Sequence, residues 1–154
     1  MTKKRKRQKQ TTDFYAIEIL DWDLDYGINF GPSRFKFGLD AETYTLIFIG
    51  KIVSPKKVEG RDVEARFQAS RYVSKVFNED SIHEHDDVNS VGNIYIRGSN
   101  GYLWISIPHD IISTIMAALK ADKIRYITMF GEPLYRGRAS IQWFNFAKDL
   151  SNWE

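Results

Sequence analysis

Three stretches of this chain concentrate side chains able to do chemistry. The first is Asp21, Asp23 and Asp25, which alternate with Trp22, Leu24 and Tyr26. On a strand, alternate residues share a face and lie roughly 6.6 Å apart. That separation falls within the range for the two carboxyls of an inverting glycosidase, and oxygens so spaced also suit calcium. The spacing is not that of an EF-hand: the glycine comes one place late, at Gly27, and Pro32 stands where a glutamate is needed. Strand alternation by itself predicts the same row. Trp22, Leu24 and Tyr26 then face inward and the carboxylates face water, blunting a sheet edge against pairing with another chain. The expectation is therefore a solvated, catalytically silent row.

The second stretch is His83-Glu84-His85-Asp86-Asp87. Extended, it would put His83, His85 and Asp87 on one side, a donor set that suits zinc or iron. His-x-His is a weak signal, however, and the remaining histidine, His109, lies in another element. Residues 78–90 are the most polar internal run, so an exposed loop is expected and no metal is assigned.

The third is basic. Tyr135-Arg136-Gly137-Arg138 forms a compact loop, read here with Arg125. Lys3, Lys4, Arg5, Lys6, Arg7 and Lys9 crowd the start of the chain, and no acid precedes Asp13. Together these residues are the candidate nucleic-acid or polyanion contacts, because Lys and Arg side chains take phosphate oxygens. A charged β-turn is the plain alternative for the loop. The whole chain carries 22 basic and 20 acidic residues; without the six in the arm, 16 basic face 20 acidic and the body is at −4. The pI of about 8.7 thus describes the arm and not the fold.

Other chemistry finds no support. There are no cysteines among the 154 residues, which excludes disulfides, Cys-based zinc and a Cys nucleophile. No Gly-x-Ser-x-Gly elbow or phosphate-binding loop occurs. Gly98-Ser99-Asn100-Gly101 is explained as a hairpin turn. No catalytic residue and no cofactor is assigned.

The elements that must position these residues follow from periodicity. Residues 1–13 are polar and are expected to be a disordered arm, with 14–154 a single β-rich domain. Tyr15, Ile17 and Ile19 open the first strand, and Phe35, Phe37 and Leu39 alternate in another. Tyr44–Val53 reads as a central strand, with a hairpin return over about 61–69; residues 70–77 are ambiguous between strand and helix. The segments 91–97 and 102–107 read as a hairpin around the Asn-Gly loop. Leu103, Ile105 and Ile107 share one face of it. Tyr102 and Trp104 share the other, either as an exposed platform for a sugar, peptide or base, or as a second buried face. Ile111, Ile112, Ile115, Met116 and Leu119 recur at helical spacing and predict one amphipathic helix near 109–121, closing one end or face of the fold. Strands over 124–130 and 138–146 follow. In the last, Ala139, Ile141 and Trp143 give way to Phe144 and Phe146, a change of parity that predicts a bulge or a change of sheet partner.

About eight strands and one helix predict an all-β fold, an antiparallel sandwich in preference to a barrel. The functional expectation is a non-enzymatic binding or interaction module whose basic arm contacts nucleic acid or another polyanion. The alternatives are a carboxylate-dependent hydrolase using Asp21, Asp23 or Asp25, and a subunit of a larger assembly with an unknown protein partner. No run of 18 apolar residues exists to span a membrane. The lack of cysteine, and of an apolar stretch behind the early charges, points to an intracellular, cytoplasmic protein.

Overall fold

The computed structural model describes residues 11–29, 41–70 and 90–153. Seven strands close into a barrel: β1 (Asp13–Asn29), β2 (Ala41–Ser54), β3 (Asp62–Ser70), β4 (Gly92–Arg97), β5 (Asn100–Pro108), β6 (Tyr126–Gly131) and β7 (Arg138–Ala147). Around the wall the order is β1-β2-β3-β5-β4-β7-β6, and β6 returns to β1. The all-β expectation holds. Of its two architectures the closed barrel is the one adopted, because β1 pairs with β2 on one side and with β6 on the other. Two outer edges are thereby joined, and only full closure removes edges from a sheet.

One pairing departs from an antiparallel plan. The β4–β5 hairpin folds back so that β5 lies between β4 and β3, and β5 therefore runs parallel to β3, from Asp62 opposite Asn100 to Ser70 opposite Pro108. The expected strand over 34–39, the ambiguous segment 71–77, and the loop containing His83 and His85 lie outside the described residues, as do all six basic residues of the arm.

Alternation fills the barrel. β5 buries Leu103, Ile105 and Ile107 and turns Tyr102 and Trp104 outward. Facing them are Tyr15 and Ile17 from β1, Leu46 and Phe48 from β2, Phe67 from β3, Ile94 from β4, Ile127 and Met129 from β6, and Ile141 from β7. Phe67 is fully buried, with Phe48, Phe144 and Phe146 at centroid distances of 5.4, 5.3 and 5.2 Å.

The change of parity expected in the last strand is a β-bulge, and β1 has one as well. Ile19 faces Gly50 and Asp21 faces Ile49, so Leu20 is the extra residue and stands 59% exposed. Beyond it the half-buried positions become Trp22 and Leu24. In β7, Trp143 faces Phe130 and Ile141 faces Gly131, which leaves Gln142 as the extra residue. Trp143 then points out, and Phe144 and Phe146 pack against the core. Bulges of this kind bend a strand and let it follow a curved wall.

The predicted helix divides into a 3-10 turn, His109–Ile111, and an α-helix, α1 (Ile112–Lys120). It links the end of β5 to the start of β6. Along β1, strand β6 extends only to the level of Glu18 and Tyr126, so α1 occupies the end of the barrel where that wall is incomplete. Ile112 and Ile115 are buried there, with Met116 and Leu119 packed against the same core. At the other end of the chain, Trp153 folds back onto the outside of the barrel. It stacks on Phe14 at 5.6 Å and meets Trp143 at 5.5 Å.

Candidate polyanion-binding face

The two ends of the barrel differ in charge. One end gathers the start of β1, the β2–β3, β4–β5 and β6–β7 turns, and with them Lys56, Lys57, Arg61, Arg97, Arg136 and Arg138. Asp13, Glu59 and Glu132 oppose them, while Lys51 and Asp62 neutralise each other at 2.9 Å. The half of β1 toward the other end carries Asp21, Asp23 and Asp25, all exposed.

The basic loop is a tight turn. Tyr135 and Arg138 exchange backbone hydrogen bonds of 2.8 and 3.0 Å. Arg136 and Gly137 between them both take positive φ, at 51° and 76°. That is the two-residue hairpin turn whose backbone twist matches the strands on either side. Glycine is required at 137 for space as well as for φ, because an added Cβ would sit 2.3 Å from the Ile96 carbonyl oxygen. Arginine at 136 is the unusual residue. This conformation favours Asn, Asp or Gly, and it costs other L residues about 1–2 kcal/mol.

Arg136 and Arg138 each lie over an aromatic ring. The Arg136 guanidinium is 5.2 Å from the Tyr135 centroid, and that of Arg138 is 5.4 Å from Tyr95. Both arginines are exposed, and Tyr135 is 71% exposed. With Asn93, Glu132 and Ser140 these four residues line a shallow concavity of about 660 Å³. The chain enters β1 beside it, since Asp13 pairs with Gly131, one residue before Glu132. The Tyr15 hydroxyl donates to the Glu132 carbonyl oxygen. Burial first, and then the Asp13 and Glu132 carboxylates, push its pKa up to about 12. The Tyr15 proton therefore stays in place and ties β1 to the turn.

Arg125 does not join this group. It precedes β6 at the open end of the β6–β7 hairpin, whereas Arg136 and Arg138 flank the turn end. Its guanidinium donates to Glu18 Oε1 at 2.8 Å, and that bond is the main cause raising its pKa further above the usual value. The partner is 107 positions away in sequence, which is why Arg125 looks free when the sequence is read alone.

Among the described residues, the aspartate row lies where β1 runs beyond the end of β6. Past Ile19, β1 keeps β2 but no longer has β6. Asp21 Oδ1 accepts from the Trp22 backbone N–H and Asp23 Oδ1 from that of Leu24, each at 2.8 Å. Two backbone donors that an added strand would need are thus occupied by the preceding side chain. Among the described residues, no group of three or more His, Cys, Asp or Glu is arranged to hold a metal ion, and no helix is long and apolar enough to cross a membrane.

Sequence reasoning left Tyr95 unmarked. Its outward position follows from its parity opposite Ile94 and Ile96, but only the β4–β7 register brings it against Arg138. No protein-family model, curated protein or solved structure matches this chain.

Proposed function

We propose that this protein is a non-enzymatic nucleic-acid-binding barrel, with the arm and the β6–β7 turn contacting phosphates. The observation that carries the reading is Arg136. A backbone position that favours asparagine or glycine holds an arginine, with its side chain exposed at the barrel end where β1 begins. Conformational cost accepted at an exposed position points to a use for the side chain itself. Lys3, Lys4, Arg5, Lys6, Arg7 and Lys9 precede β1 in the sequence, and β1 begins beside the turn, with Asp13 opposite Gly131; the reading takes arm and turn as contacts on one ligand. Arg138 and Arg97 extend it. Arg125, engaged with Glu18 at the far end, is not part of this reading.

The division of labour follows from the charges. A body at −4 gives little long-range attraction, so the arm supplies the non-specific affinity and steers encounter. The test is anisotropy of labelled duplex and single-stranded DNA at low salt. Wild type should bind. Binding should weaken in a chain whose six basic arm residues are changed to glutamine, and also in the double variant Arg136→Ala, Arg138→Ala. A wild-type chain that binds neither DNA at low salt would remove nucleic acid from its function.

A further inference from the structure

The outer wall of β3, β5, β4 and β7 carries a strip that the core does not explain. Pairing places Glu64, Tyr102, Tyr95 and Arg138 side by side across the four strands. The neighbouring row is Arg66, Trp104, Asn93 and Ser140. Tyr102 is 51% exposed, Trp104 44% and Tyr95 40%. The same strands pack the barrel with their opposite parity, through Ala65, Phe67, Leu103, Ile105 and Ile94. Single exposed apolar side chains are ordinary on a protein surface, whereas adjoining aromatic rings mark contact sites.

Two features select the occupant. The strip is bordered by cations on both sides, Arg138 at Tyr95 and Arg66 beside Trp104, although Arg66 shares its charge with Glu64 at 2.9 Å. It is also continuous with the cationic turn, because Arg138 belongs to both. A ligand there must be negative along its length and offer flat π-faces at intervals. Single-stranded nucleic acid does both: bases stack on aromatic side chains, and the backbone follows positive charge. A duplex has its bases already paired and stacked, and a sulfated polysaccharide has none.

We infer that single-stranded nucleic acid lies across this wall, with bases on Tyr102, Trp104 and Tyr95 and phosphates toward Arg138 and the turn. This rests on the nucleic-acid reading above and adds the form of nucleic acid bound. Tyr102 and Tyr95 face each other on adjacent strands, and Trp104 is two residues along β5 from Tyr102, roughly 6.8 Å in an antiparallel pair. Tyr102 and Trp104 are thus spaced to take separate bases, whereas Tyr95, directly opposite Tyr102 and under Arg138, extends the Tyr102 platform. Because every base has a π-face, the expected sequence preference is small.

The experiment uses the full chain and three probes at one salt concentration: a fluorescein-labelled oligothymidylate of about ten nucleotides, a duplex of the same length, and heparin. Trp104→Ala and Tyr102→Ala should each weaken oligothymidylate binding roughly tenfold and leave duplex and heparin binding nearly unchanged. Trp104→Phe keeps a π-face and should restore most of the loss, which separates stacking from a general effect on the fold. Oligothymidylate binding that is equal in wild type and both alanine variants overturns this inference while the polyanion reading stands. A wild type that binds none of the three probes overturns both.

Discussion

Arg136→Asn should make the protein slightly more stable and at the same time a weaker polyanion binder. Arg136 holds a left-handed backbone at φ 51°. Taking the low end of the cost of that conformation for an L residue, about 1 kcal/mol is available for relief. Asparagine tolerates the region, and Asn-Gly is the favoured pair for this turn. Against the relief stands the loss of Arg136 from the Tyr135 ring, at 5.2 Å. Tyr135 is 71% exposed, so that contact belongs at the weak end of its class, about 0.5 kcal/mol. The difference is a gain of about 0.5 kcal/mol, which in a chain of this size raises Tm by about 1–2 °C. Binding moves the other way. Removing one phosphate contact from duplex DNA makes the slope of log affinity against log salt shallower by about 0.9. Thermal unfolding and a salt titration on the same preparations read both quantities. A fall in Tm of several degrees would show that Arg136 holds the turn together and is not a cost carried for another purpose. An unchanged slope would show that it touches no phosphate.

The aspartate row, the helix and Tyr15 each give a further expectation. Asp23→Asn keeps an acceptor beside the Leu24 N–H and should change stability by no more than about 0.5 kcal/mol; the double variant Asp21→Leu, Asp23→Leu should cost about 1 kcal/mol and raise the apparent mass with concentration in light scattering, and an unchanged mass would argue against edge protection. Ile115→Asp puts an unpaired charge against the core at the α1 end and should abolish cooperative unfolding by circular dichroism; retention of the wild-type Tm would mean that the stripe is not buried. The Tyr15 phenol has a folded-state pKa of about 12, above its ordinary value near 10, so the folded chain keeps a proton that the unfolded chain releases. The associated stability is present below pH 10 and is lost as pH rises toward 12, on the order of 2–3 kcal/mol. Urea unfolding of Tyr15→Phe should fall less steeply with pH across that window, and parallel curves would contradict the assignment.

What could be read from the sequence was local. Alternation in 102–107 placed Leu103, Ile105 and Ile107 on one face, and the parity change between Trp143 and Phe144 predicted a bulge or a change of partner; the bulge falls earlier, at Gln142, so Trp143 points outward and does not share the face of Ile141. The helical stripe was legible from its 3.6-residue spacing; Ile112 and Ile115 of it are buried, and Ile111, Met116 and Leu119 are partly buried against the core. Closure was not legible. Whether β1 meets β6 depends on pairing between residues more than 100 positions apart, and the parallel β3–β5 ladder depends on how a hairpin inserts between distant strands. Neither leaves a local pattern. The candidate site shows the same division. Alternation left Tyr102 and Trp104 open between an exposed and a second buried face, and only the barrel shows them outside; the Asp row is outward as expected, but Tyr26, expected inside, is 48% exposed. The neutralisation of Arg125 by Glu18 and the meeting of Tyr95 with Arg138 needed the register. The strained turn was also hidden, because Arg-Gly is not among the dipeptides that signal it.

The central claim is that the arm supplies most of the charge attraction and the turn a smaller part. The direct measurement is the salt dependence of duplex DNA binding, for the full chain and for the chain with its six basic arm residues changed to glutamine. If all six meet phosphates, their share of the log–log slope is about −5, and Arg136 and Arg138 bring the total to about −7 as an upper limit. The predicted result is a steep slope for wild type that collapses to about −2 or shallower when the arm is neutralised, with the same Tm in both chains. Tight binding with an undiminished slope in the neutralised chain would contradict the account and place the whole phosphate-contacting site on the barrel.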